Sequence, residues 1–258
     1  MPADFCLRLA LGMTACLLLL APGRTARAGQ PGVKPLASAT FFRTQLLVVL
    51  GFTVGALLWL WGTGGWALLV CLLVAAAAAF LGSVVWSLER SPGAVALLVL
   101  TCLALCAALW QQETAGDGPA AARLAGAFGS ALLLGAAVSA MLMGHNYLIT
   151  PTMSLTPLFR LLAVLAVTLV VRAAADGFAL AEWTGGHSLT TLKGDAALWL
   201  PVRWLVGLAG PAVLGAMAWQ TARIRSTQSA TGILYVVVIC TFLGELTGLL
   251  LRPAGLTL

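Results

Sequence analysis

Gly65 to Leu88 reads GWALLVCLLVAAAAAFLGSVVWSL, a run without a single charged residue. The hydrocarbon core of a bilayer is about 30 Å thick and a helix crosses it in roughly 20 residues, so this run is long enough to span. Its apolar character is continuous, whereas strands of a transmembrane barrel alternate between a lipid face and a polar lumen. Hydrocarbon offers nothing to free backbone N–H and C=O groups, so the run must be helical. Ala75 to Ala79 give it a small-residue face for close packing.

Working outward, the pattern recurs. Asp4 to Pro22, Arg43 to Trp61, Gly93 to Trp110, Ala121 to Gly144, Pro157 to Ala175, Leu198 to Trp219 and Thr231 to Leu251 bring the number of such segments to eight. Only 9% of the 258 residues are charged while 61% are hydrophobic, far too few polar groups to cover a water-soluble domain. The expected fold is all-α: a polytopic transmembrane helix bundle of about eight helices, forming a single integral membrane domain over residues 1–258.

The first segment has a second reading. LALGMTACLLLLA is a short apolar core and ARA at Ala26 to Ala28 resembles a signal-peptidase site, in which case seven helices remain. The flanks favour retention: the start carries Asp4, whereas Arg24, Arg27, Lys34 and Arg43 follow the segment and resist translocation. With eight helices this charge order places both termini outside a bacterial-type inner membrane. Arg24, Arg27, Lys34, Arg43, Arg90, Arg160, Arg223 and Arg225 then collect inside, against six basic residues on the outer side. No repeat period and no match between the halves appears, and the longest hydrophilic link is Ala175 to Ala197.

Polar groups that interrupt the apolar pattern are the candidates for chemistry. GHNYLITPTMSLTP, Gly144 to Pro157, joins the fifth and sixth segments; its prolines and threonines explain a turn, leaving His145 with Tyr147 as a donor and acceptor pair suited to a quinone carbonyl or a lipid headgroup. RIRSTQSATG, Arg223 to Gly232, lies on the same side. Arg223, Arg225 and Ser229, with Ser229 or Thr231 capping the last helix, compose an anion site at a helix N-terminus. Inside the last segment, Glu245 costs roughly 2.5 to 3.5 kcal/mol to insert in ionised form and therefore needs a partner. Arg252, Arg8 and Arg203 are the cations at comparable depth, and Thr241 is one turn back as a hydrogen-bond donor. Gly244 and Gly248 invite a close helix neighbour, while Gly210-Pro211 interrupts the seventh segment and leaves the Gly207 carbonyl without its usual partner.

Several classes are argued against. His145 and His187, the only histidines, fall at opposite faces, so they cannot share a bis-histidine haem. No Cys/His cluster with zinc-ligand spacing occurs and all six cysteines lie in apolar segments. The 14 basic residues are scattered rather than gathered in a stripe, which argues against nucleic acid. Three functions fit what remains. The first is a non-catalytic helical subunit of a membrane complex, with a quinone- or lipid-binding surface at the cytoplasmic face and the bilayer and other subunits as partners. The second is a small-solute or ion transporter using Glu245 and the broken seventh helix. The third is an enzyme on a lipid-borne substrate with His145 as general base. Poverty of catalytic groups favours the first.

Overall fold

The computed structural model describes residues 2–21, 37–88, 93–115, 120–150, 153–186 and 195–251. These form α1 (Pro2–Leu20), α2 (Ala39–Leu60), α3 (Trp66–Ser87), α4 (Ala94–Thr114), α5 (Ala120–Ile149), α6 (Thr156–Gly186), α7 (Asp195–Pro201), α8 (Gly210–Arg223) and α9 (Thr227–Leu251). A π-helical turn, Val202–Ala209, fuses α7 to α8, so the described residues contain eight helices long and apolar enough to cross a membrane. No strand occurs among the described residues. Arg24, Arg27, Lys34, Arg90, Arg252, Pro151 and His187, on which parts of the sequence reading rest, lie outside them.

The spans fall into two groups. Helices α1 to α4 pack on one another, α5, α6, the seventh span and α9 form the second group, and α1 against α5 is the seam between them. Two features hold α1 in place. Gly12 and Gly135 bring the backbones together so tightly that a Cβ on Gly12 would lie 1.7 Å from the Ala131 carbonyl oxygen. At one end, Arg8 of α1 donates to Glu113 of α4 at 2.6 Å, with both side chains buried, and Gln112 donates to Asp4. α1 is therefore a central helix of the bundle, not an appendage: two thirds of its apolar window is buried.

Two boundaries differ from the sequence reading. α5 continues to Ile149, so His145 and Tyr147 lie within it. α6 runs to Gly186, taking Asp176 and Glu182 out of the expected link and into a helix of 31 residues. The seventh span is interrupted as expected, but by a widened turn. The N–H of Gly210 reaches back five residues to the Leu205 carbonyl, the π pattern, just ahead of Pro211, which has no N–H to give.

Candidate functional site: a buried four-charge centre

Glu245 is 2% exposed, six residues from the end of α9, or about 9 Å along its axis. Three other charges surround it. Arg203, at the start of the π turn, approaches Glu245 Oε1 at 2.8 Å through Nη1 and Asp176 Oδ2 at 2.7 Å through Nη2. Arg203 also donates from Nε to the same Asp176 oxygen at 2.8 Å. Arg172, one helical turn before Asp176 on α6, lies 3.4 Å from Asp176 Oδ1 and 3.5 Å from Glu245 Oε1. The four side chains thus alternate in sign around a closed ring with no net charge.

Each element supplies its residue for a local reason. Arg172 and Asp176 are four apart and so share a face of α6, the spacing that lets a cation and an anion meet on a helix. Arg172 lies along α5, where Gly126 and Gly129 leave space: a Cβ on Gly129 would be 3.3 Å from its Cδ. Gly207 and Gly244 clear the way for Arg203, since a Cβ on Gly207 would sit 2.4 Å from the Gly244 Cα. That crossing presses the π turn onto α9 and holds the guanidinium against the carboxylate one residue further along. α6 packs mainly on α5 and α8; it meets α9 through these charged side chains and, nearer the end of α9, through Leu251 against Ala179, Leu180 and Trp183.

The pairing is obligatory. At roughly 2.5 to 3.5 kcal/mol for each charge on insertion scales, four unpaired groups would cost about 10 to 14 kcal/mol. Nearby polar atoms are less well served. Among the described residues, Thr241 Oγ1 and Trp204 Nε1 are buried without a hydrogen-bond partner, and the Trp204 ring lies over Gly177, next to Asp176. The expected hydrogen bond from Thr241 to Glu245 does not form.

Of the cations considered for Glu245, Arg203 is the partner. Arg8 is not; it is taken by Glu113 on α4. Arg172 and Asp176 were missed by the sequence reading because the sixth segment was ended at Ala175 and Asp176 assigned to the link. The signal was present in the four-residue spacing of opposite charges inside an otherwise apolar run.

At the opposite end of the bundle the residues are dispersed. Two positions apart on α5, His145 and Tyr147 face different ways: His145 is exposed, and Tyr147 is buried with its hydroxyl donating to the Ser154 carbonyl at 2.5 Å. The pair does not form a joint binding site, because a helix turns two residues by about 200°. α5 and α9 do meet there, at Gly144 and Thr231. Arg223, Arg225 and Ser229 are exposed on the neighbouring turn. Helix α9 begins at Thr227, so Ser226 holds the capping position; its hydroxyl meets that of Ser229 at 3.1 Å, and Thr231 instead donates back to the Thr227 carbonyl. No family model, curated protein or solved structure matches the chain.

Proposed function

We propose that this protein is a carrier of a small solute or ion, with the Arg172, Asp176, Arg203 and Glu245 ring as the site that exchanges charge with it. One observation carries this reading: four ionised groups on three spans meet beside a helix broken by a π turn. Intramembrane charges are costly, and a buried ion pair is often no more stabilising than apolar residues of similar volume. π turns concentrate at functional sites, and broken helices line binding sites in transporters. An alternating ring is suited to exchange, because protonating or displacing one carboxylate leaves an arginine free to take an anionic group. The unpartnered Thr241 and Trp204 donors supply further contacts for such a solute.

A carrier opens its site to each side in turn, whereas a structural ion lock stays sealed. Ser130→Cys, at a buried position of α5 next to the Gly129 that faces Arg172, and Thr241→Cys, in a background without the native cysteines, test this in sealed vesicles with a membrane-impermeant thiol reagent. Labelling of both positions from both sides is expected. Labelling from neither side, or from one alone, refutes the carrier reading; Leu58→Cys, on an apolar face, is the unlabelled control.

The helical-subunit reading is favoured by a different observation. Beside His145, Arg223 and Arg225, Ile149 and Ile224 are 73% and 78% exposed, a mixed surface at one end of the bundle that suits a docked subunit. It loses the quinone-holding pair, since Tyr147 is turned inward. Stable co-purification of further subunits in mild detergent, abolished by Ile149→Glu with Ile224→Glu, would place this reading first. For orientation we infer outer termini and a bacterial-type inner membrane. Arg8, Arg172 and Arg203 are neutralised inside the bundle, which lowers the number of basic residues on the terminal side that compete with the eight opposite.

A further inference from the structure

Between α6 and α8 lies a half-open apolar cavity of about 260 Å³, walled by Leu165 and Leu169 on one side and by Ala212, Gly215 and Ala216 on the other, with Trp219 at its end. We propose that it holds one acyl chain of an anionic glycerophospholipid, with the phosphate at Arg223.

Dimensions select the occupant. From Pro211 to Trp219 the groove runs eight residues, about 12 Å along the helix and close to the depth of one leaflet of a 30 Å core. Its volume over that length gives a mean cross-section of about 22 Å², whereas a helix roughly 10 Å across needs about 80 Å². A single methylene chain fits within it, whereas a helix about 10 Å across could only lie over it. The shape follows from composition, since Gly215 and the alanines of α8 leave open space that a larger side chain would take: a Cβ on Gly215 would already touch Leu165, at 3.6 Å.

Charge selects the headgroup. The groove runs towards the end of the bundle where Phe159 and Trp219 pack edge to face at 4.9 Å, the ring type found at the bilayer interface. Arg223 is four residues beyond Trp219, on the same face of α8, and exposed one turn past the end of the groove. A phosphate there stands where a lipid whose tail fills the groove would carry it. None of these residues belongs to the charge ring, so the proposal is independent of the carrier reading.

The test is native mass spectrometry of the purified chain given dioleoylphosphatidylglycerol or dioleoylphosphatidylcholine. The wild type should retain one phosphatidylglycerol, with about a five-fold preference over the zwitterionic lipid, the effect of one arginine at an anionic surface. Arg223→Gln should abolish the preference. Gly215→Leu, and separately Ala212→Leu should the first fail to fold, should abolish retention of both lipids by filling the groove. Retention unchanged in the filled variants, or a preference that survives Arg223→Gln, overturns the proposal. So does a wild-type dimer that either filling variant dissociates, because the groove would then hold a second copy.

Discussion

Arg203 and Glu245 give the most demanding test of the charge ring, because the structure predicts that removing both is milder than removing either. Arg203→Met leaves Asp176 and Glu245 to share Arg172, a buried net charge of minus one; Glu245→Met leaves two arginines on Asp176, a net plus one. Each single change should cost about 3–5 kcal/mol, the usual penalty for stranding a buried charge. For a protein of this size that is a fall in Tm of roughly 6–20 °C. The double variant keeps Arg172 and Asp176 at 3.4 Å, neutral and on one helix, with two methionines filling the remaining volume. Replacing a buried pair by apolar residues is often neutral or stabilising by about 1–4 kcal/mol, so the double variant should lie above both singles. Thermal unfolding of the four proteins in one detergent reads the cycle. Additive losses would show that the two side chains do not compensate each other, and the ring described here would be wrong.

Two further outcomes test the frame around the ring. Gly12→Ala puts a methyl 1.7 Å from the Ala131 carbonyl oxygen, so α1 and α5 must part by well over an ångström; overpacking costs about 1–3 kcal/mol and more where backbone is struck. The loss should appear in thermal unfolding, and adding Gly135→Ala should cost less than it does alone, since the helices are already apart. At the end of α8, Arg225 has φ 59°, and Ser226 N–H donates to Thr221 and Arg225 N–H to Ala222, a Schellman arrangement whose left-handed position favours glycine. Arg225→Gly should therefore stabilise by about 1 kcal/mol in the same measurement, and destabilisation would mean that the guanidinium makes a contact worth more than the backbone strain.

The spans were legible because lipid imposes a length and forbids unpaired backbone, constraints that act on each segment alone. Helix ends were less so. Ala175 looked like an end because Asp176 follows it, yet the helix continues for ten residues beyond Asp176, whose charge is answered by two arginines in space. A carboxylate marks a helix end only where it must reach water. The need of Glu245 for a cation was readable from hydrophobic cost, but choosing Arg203 over Arg8 depends on which helices are neighbours. That choice depends on Gly207 meeting Gly244, and the sequence showed only one side of the contact. His145 and Tyr147 failed as a pair for a simpler reason: once α5 runs to Ile149, two residues apart means opposite faces.

The π turn explains how Arg203 comes to be where the ring needs it. Arg203, Gly207 and Leu208 are the buried residues of this segment, four and five positions apart. In an α-helix, at about 100° per residue, Leu208 would point some 140° away from Arg203. With roughly 4.4 residues in a turn that closes five residues back, all three fall within about 50° of Arg203. The turn therefore contains one residue more than an α-helix needs to present this face. Leu205 is 68% exposed and contributes to neither contact. Deleting it should let Pro201 to Pro211 close as an α-helix with Arg203 still at Glu245, at a cost below the roughly 3–5 kcal/mol of losing the pair. Deleting Val213, equally exposed but in the regular part of α8, should instead rotate Arg203 by about 100° away from Glu245 and incur that full cost. Equal losses in the two deletions would mean that the wide turn is not a spare residue. If the loss on deleting Leu205 is small but Thr241→Cys can no longer be labelled from both sides, the π turn is the hinge on which the ring opens.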